Sequence, residues 1–296
     1  MKKILASALV LVMSGIVALA QPPQFKMPKM PEENHTLTVG NLTMTINAAY
    51  GARITSFKYG DQEIISQIPF PLASGSTFWT SPQAEWNWPP VREHDSLPYT
   101  VEEKDGHLVM TSQLSAAIPM RIIKDFSADK KKEAFVISYT LVNEGDVERS
   151  VAPWEITRVP GSGLIFFDAP VEDITPAGLL NFTSKKGLAW YAFDEASENR
   201  KVNADGKGWY AFTDNGLLMI KEFEDLDPSQ PAPAEAEVQV YVNQGKSWIE
   251  LECQGAYVSL KPGESLTWTV KWYLMPLNGE AEPSGKLAKQ VKKALR

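Results

Sequence analysis

Hydrophobic and polar residues alternate along most of this chain, which is the pattern of β-strands with one buried face. Leu42, Met44 and Ile46, for example, alternate with polar residues. Roughly fifteen segments of this kind follow one another, and several of the turns between them contain Asp-Gly, Asn-Gly or Pro-Gly pairs. There is no strand–helix alternation, and no repeat of the length that propeller blades require. The pattern therefore predicts an all-β fold, one large antiparallel β-sandwich over residues 36–296.

A single helix is predicted, at the C-terminal end. Leu287, Val291 and Leu295 recur at every fourth position, with lysines on the opposite side. This spacing gives a helix one apolar face and one charged face. We expect residues 286–295 to form a helix that lies on the sheet as a cap.

The segment from Trp79 to Tyr99 departs from the strand pattern. Its four prolines remove backbone donors and fix φ, so we predict a long, stiff loop. Indole rings can stack on the C–H faces of sugars while neighbouring polar groups bind hydroxyls, and loops often carry function. The alternative is that the tryptophans plug one end of the sandwich. The candidate substrate-binding residues here are Trp79, Gln83, Glu85, Trp86, Asn87, Trp88 and Arg92.

A second candidate site lies on the predicted strand Trp248–Gln254. Alternation places Trp248, Glu250, Glu252 and Gln254 on one face. The two carboxylates are then roughly 7 Å apart. Mutual repulsion or partial burial can raise the pKa of one of them and make it a base near neutral pH. The alternative is an exposed strand face with solvated glutamates.

A third candidate is the segment from Trp154 to Arg158. These two side chains share a strand face with Ile156, and an arginine beside a tryptophan can clamp a hydroxyl or a carboxylate. The alternative is a cross-strand ion pair. We expect the three candidate segments to converge on one end or one face of the sheet.

The N-terminal segment resembles a secretory signal. Residues 1–20 have two lysines, an apolar run and an Ala-Leu-Ala ending, and residues 21–35 form a proline-rich tether. An uncleaved membrane anchor is the rival interpretation; with cleavage, we expect a periplasmic or extracellular protein with no stable membrane span. Loss of Lys2 and Lys3 changes the formal net charge from −7 to −9, which disfavours nucleic acids as partners.

Several common catalytic and nucleotide-binding motifs are absent from the sequence. It has no G-x-S-x-G elbow, no Walker loop and no G-x-G-x-x-G motif after a strand. Its three histidines are scattered, so no metal site is predicted, and we expect no cofactor. The one cysteine, Cys253, excludes an intrachain disulfide.

Five segments carry a resemblance to the galactose mutarotase-like (aldose 1-epimerase-like) superfamily, and more narrowly to a secreted bacterial branch of it. They are Gly51–Lys58 with Asp61–Ile64, the Trp79–Pro90 loop, Ile249–Glu252 and Leu260–Glu264. The resemblance spans about residues 36–275. It implies a large antiparallel supersandwich that handles sugars.

In the epimerases of that superfamily, a glutamate on a C-terminal strand is the general base and a histidine is the general acid. The resemblance assigns the base to Glu252, with Glu250 as the fallback. The family's central-strand histidine is missing, because residues 152–156 read Ala-Pro-Trp-Glu-Ile. His94 is then the candidate acid. The residues leave open whether the protein is an enzyme; if it is, an aldose 1-epimerase-like isomerase is expected.

These features together predict an exported protein that binds a mono- or oligosaccharide in a tryptophan-lined cleft. An enzyme of the polysaccharide lyase or hydrolase type is one alternative. A non-catalytic module that docks a partner protein is the other.

Overall fold

The structure, a computed structural model, describes residues 30–296. The predicted signal sequence and most of the predicted tether lie outside the described residues. The first strand begins at Asn34, so the last two residues of the predicted tether belong to the fold.

The first of two ten-stranded antiparallel sheets carries the candidate site. Its main strand order is β1-β2-β3-β5-β10-β18-β17-β14, with β4 paired to β3 and β19 paired to β10. Its strands are β1 (Asn34–Val39), β2 (Leu42–Asn47), β3 (Arg53–Tyr59), β4 (Gln62–Glu63), β5 (Ser76–Ser81), β10 (Arg149–Pro160), β14 (Arg200–Ala204), β17 (Val238–Val242), β18 (Trp248–Gln254) and β19 (Val258–Leu260).

The second sheet has the order β12-β13-β11-β15-β16-β20-β9-β8-β7-β6. Its strands are β6 (Thr100–Lys104), β7 (His107–Thr111), β8 (Met120–Asp129), β9 (Ala134–Asn143), β11 (Leu164–Phe167), β12 (Thr183–Lys185), β13 (Leu188–Ala192), β15 (Trp209–Asp214), β16 (Leu217–Glu222) and β20 (Ser265–Pro276). Short 3-10 turns lie at Pro71–Ala73, Gln83–Glu85, Val171–Asp173 and Gln244–Lys246.

The main hydrophobic core joins the inner faces of the two sheets. Leu42, Met44 and Ile46 of β2 are at most 2% exposed and belong to this core, as the alternation predicted. Phe57 of the first sheet packs edge-on against Trp272 of the second. The predicted antiparallel β-sandwich is confirmed.

The C-terminal helix α2 (Gly285–Ala294) is confirmed within one residue at each end. Leu287, Ala288 and Val291 pack with the outer face of the second sheet. The Ser284 side chain accepts a hydrogen bond from the Leu287 backbone N–H at 3.2 Å, which caps the first turn.

The segment from Trp79 to Tyr99 is not one continuous loop, which corrects the prediction. Trp79 lies within β5, an interior strand that pairs with both β3 and β10. The short helix α1 (Arg92–Asp95) occupies its far end. The prolines begin only at Pro82, so β5 can keep its backbone pairing as far as Ser81.

Candidate functional site

A cleft of about 330 Å³ lies on the first sheet, against the face turned away from the main core. Neighbouring strands β5, β10, β18, β17 and β14 contribute side chains to it, as do the segments on either side of β5. The lining residues are Phe70, Leu72, Trp79, Gln83, Trp88, Trp154, Arg158, Lys201, Tyr241, Asn243, Trp248, Glu250 and Glu252. The three segments singled out in the sequence therefore do converge.

Glu252 is the most buried carboxylate of the cleft, at 1% exposure. Its Oε2 accepts hydrogen bonds from the Trp154 indole N–H and from the Lys201 ammonium, each at 2.9 Å. Its Oε1 is buried and has no hydrogen-bond partner among the described residues. Burial raises the pKa of Glu252 above its usual value; the nearby Glu250 charge adds to this and Lys201 opposes it.

Arg158 and Glu250 form an ion pair across the β10–β18 ladder. The two residues are directly paired in the antiparallel register, and Arg158 Nε donates to Glu250 Oε1 at 2.9 Å. The cross-strand ion pair considered for Arg158 is thus present, inside the cleft. Arg158 is fully buried, yet its Nη1 is given no acceptor by residues 30–296.

Cations cover one face of each of the two inner indole rings. The Arg158 guanidinium lies 5.3 Å from the centre of the Trp79 ring, and Lys201 Nζ lies 4.6 Å from that of Trp154. Trp88 is 56% exposed at the rim. Trp248, also at the rim, has a buried indole N–H with no acceptor in the described part of the chain. The rim tryptophans therefore offer the more accessible aromatic surface.

A buried carboxylate behind the cleft holds Trp79 in place. Asp95 Oδ1 accepts hydrogen bonds from Trp79 Nε1 at 2.8 Å, Thr77 Oγ1 at 2.9 Å and Arg53 Nη2 at 3.1 Å. Burial alone would raise the pKa of Asp95. The Arg53 charge and the donated hydrogen bonds more than offset burial and lower that pKa. Arg53 accordingly has a structural role.

Four of the predicted substrate-binding residues do not line the cleft. Glu85 pairs with Arg149 at 3.3 Å, and the Trp86 indole donates to the Thr80 carbonyl while its ring packs edge-on against Trp79. Trp86 thus packs against other residues of the protein and does not face the cleft. Asn87 and Arg92 are the other two predicted residues outside the cleft, and both side chains are exposed.

His94 lies outside the cleft, which corrects the expectation that it could reach a substrate there. The side chain is 1% exposed, and Nε2 lies 3.0 Å from the Met120 carbonyl oxygen. Burial lowers the pKa of His94 to about 4, so the ring is neutral at neutral pH. The α1 turn directs it toward β8 rather than toward Glu252. The catalytic assignment of Glu252 stays a prediction.

Lys201 is the main cleft residue that the sequence did not single out. It lies on β14, a short strand at the sheet edge whose sequence Arg-Lys-Val-Asn-Ala has no aromatic or carboxylate signal. Its position beside Glu252 depends on the pairing of β14 with β17 and of β17 with β18. Tyr241, on β17, was likewise missed.

Within residues 30–296, no group of three His, Cys, Asp or Glu side chains is placed to hold a metal ion. The same part of the chain contains no helix with the length and apolarity needed to cross a membrane.

Neither a protein-family model nor a curated protein sequence matches this chain. Several solved structures are similar to it in fold. A putative aldose 1-epimerase from Escherichia coli K12 aligns with a TM-score of 0.57 and 12% identity over 83% of this chain and 99% of that one. A galactose mutarotase related enzyme from Lactobacillus acidophilus aligns with a TM-score of 0.57 and 10% identity over 84% and 100%. A galactose mutarotase-like protein from Lactobacillus casei aligns with a TM-score of 0.55 and 10% identity over 81% and 100%.

Proposed function

We propose that this chain, which has the galactose mutarotase-like fold, is an exported protein that binds a small carbohydrate in the cleft. One observation carries the proposal. Glu252 Oε1, Arg158 Nη1 and Trp248 Nε1, which we call the open polar atoms, all belong to cleft-lining residues and find no partner within residues 30–296. Leaving a buried donor or acceptor unpaired costs about 1–3 kcal/mol, so a ligand that pairs with them recovers that energy.

A sugar fits the open polar atoms because a hydroxyl group is both a donor and an acceptor. One hydroxyl hydrogen can go to the Glu252 carboxylate, while hydroxyl oxygens accept from Arg158 and Trp248. The exposed ring of Trp88 provides an apolar surface for the C–H face of the sugar. Each of the two carboxylates of the cleft is paired with a cation. The charges of the cleft therefore cancel, which favours a neutral ligand.

The size of the cleft favours a short sugar over a polymer. Its volume of about 330 Å³ is near the lower end of the roughly 300–1,000 Å³ range of small-molecule sites. Such a volume suits a mono- or disaccharide, which supports binding at this site over cleavage of a polysaccharide. The names of the structural neighbours, which include a putative aldose 1-epimerase, support the same ligand class.

Binding can be measured by tryptophan fluorescence and melting temperature against a panel of neutral mono- and disaccharides, with sugar phosphates and uronic acids alongside. We expect at least one neutral sugar to shift both signals. Glu252→Gln should weaken its binding about tenfold or more, because it weakens the acceptor. Glu85→Gln, outside the cleft, is the matched control and should bind like the wild type.

The proposal fails if no sugar of the panel changes either signal, or if Glu85→Gln weakens binding as much as Glu252→Gln does. Export rests on the N-terminal sequence pattern alone. Mass spectrometry of the protein recovered from the expressing cells tests it, and a mature N-terminus at Gln21 is expected; a retained Met1 would contradict cleavage.

A further inference from the structure

The contact between Lys201 and Glu252 suggests a catalytic pair. We propose that Lys201 is the general acid that works with Glu252 as base to open the ring of an aldose hemiacetal in this cleft. The proposal rests on the carbohydrate-binding function above. It assigns the acid role to a residue of β14 rather than to a histidine; the described residues that line the cleft include no histidine.

The geometry leaves Glu252 Oε1 open to accept a proton and places a proton donor, Lys201, beside the other oxygen of the same carboxylate. Lys201 Nζ is 2.9 Å from Glu252 Oε2, and the Trp154 indole N–H holds the same oxygen at 2.9 Å. These two donors fix the orientation of the carboxylate and leave Oε1 to accept from a ligand. The Lys201 side chain is 36% exposed, so its remaining N–H groups can reach a bound molecule.

This arrangement suits the hemiacetal group of an aldose. Its anomeric hydroxyl and its ring oxygen are bonded to the same carbon, so a base and an acid that lie side by side can reach both oxygens. Glu252 Oε1 takes the proton of the anomeric hydroxyl, and the electron pair of that O–H bond forms the carbonyl. The bond between the anomeric carbon and the ring oxygen breaks, and the ring oxygen takes a proton from Lys201 Nζ.

The reaction balances without a co-reactant. After ring opening, Glu252 is neutral, Lys201 is a neutral amine and the sugar is an open-chain aldehyde. Rotation about the bond next to the carbonyl, followed by the reverse proton transfers, closes the ring as the other anomer. Both residues return to their starting state, with no net change in protons or electrons.

The contact also places the proton donor and the proton acceptor in one ion pair. In the resting pair the carboxylate charge stabilises the ammonium 2.9 Å away. The other charged groups of the cleft, Glu250 and Arg158, pair with each other at 2.9 Å. Tyr241 contributes a neutral phenol.

Two substitutions separate proton donation from charge. A guanidinium group does not lose its proton in a protein, so Lys201→Arg keeps a cation beside Glu252 but removes the acid. Lys201→Met removes both. Lys207→Met, at an exposed lysine that pairs with Asp205 outside the cleft, is the matched control.

Anomer exchange is followed by polarimetry or NMR on the sugar that binds best, with affinity measured on the same samples. We expect both Lys201 variants to lose about 100-fold or more of the exchange rate. Lys201→Arg should keep its affinity within about tenfold, and Lys207→Met should match the wild type.

Each other outcome has a distinct meaning. Wild-type protein that binds a sugar but exchanges its anomers no faster than buffer overturns the catalytic pair and leaves the binding function standing. Full exchange activity in Lys201→Arg makes Lys201 a positioning residue and overturns proton donation. Wild-type protein that binds no sugar removes both proposals.

Discussion

Three buried or half-buried lysines in this fold differ in their partners, and the partner decides the chemistry of each. Lys201 pairs with Glu252 in the cleft, and Lys221 pairs with Glu155 between the sheets. Lys124, on β8, instead donates to backbone carbonyls, at 2.7 Å to Gly51 and 3.4 Å to Ala52. Burial lowers the pKa of Lys124 to about 7, and neighbouring Asp95 only partly offsets this.

The lowered pKa makes stability depend on pH in a known direction. Between pH 7 and the ordinary lysine pKa of about 10.4, the unfolded chain holds a proton on Lys124 that the folded chain has lost. Stability from this site therefore rises with pH across that window. We expect the unfolding free energy of the wild type, relative to Lys124→Met, to rise by up to about 1.4 kcal/mol per pH unit.

Chemical denaturation of both proteins at pH 7, 8 and 9 measures this difference and cancels the titration of all other groups. The exposed lysine variant Lys293→Met serves as control and should keep the wild-type pH slope. Parallel pH profiles for Lys124→Met and the wild type would contradict a buried lysine of lowered pKa.

Among the elements, the strongly periodic ones were the most predictable. Helix α2 begins and ends within one residue of its predicted bounds, because its apolar face is set by local spacing. On β18, alternation alone placed Glu250 and Glu252 on the same face. Alternation could not place the short edge strand β14, and the prolines after Ser81 masked the strand character of Trp79.

The capping contact at the start of α2 gives a prediction for this element. Ser284→Ala removes the acceptor for the Leu287 N–H, and loss of such a cap costs about 0.5–2 kcal/mol. We expect a lower melting temperature, with circular dichroism showing an unchanged sheet. Ser197→Ala, at an exposed serine outside any helix, is the control; equal melting temperatures for the two variants would argue against the cap.

At the scale of the whole molecule, a buried ion pair links the two sheets. Glu155 of β10 points away from the cleft and accepts from Lys221 and Tyr139 of the second sheet. Both charged side chains are fully buried, and Lys221 Nζ lies 3.7 Å from the centre of the Trp272 ring. The same strand thus directs Trp154 and Arg158 to the cleft and Glu155 to the interior.

Breaking this pair leaves one charge buried and unpaired. Glu155→Gln and Lys221→Met should each destabilise the fold by about 3–5 kcal/mol. The double variant should cost less than the sum of the two single ones by about 1 kcal/mol or more. Denaturant titration of the four proteins measures the coupling.

The matched comparison is Arg121–Glu144, a partly exposed pair, for which the coupling should be at most about 1 kcal/mol. Equal coupling energies for the two pairs would contradict a special role for the interior pair.

The sequence by itself determined the fold class, the terminal helix and the shared strand face of Glu250 and Glu252. All three follow from periodicity, which is a local property of the chain. Only the tertiary structure decided that His94 turns toward β8 and that Lys201 meets Glu252. The Lys201 contact depends on strand order across the first sheet, since β14 reaches β18 only through β17. The His94 contact joins α1 to β8 of the second sheet. Both contacts join residues that are far apart in sequence, and no local pattern encodes them.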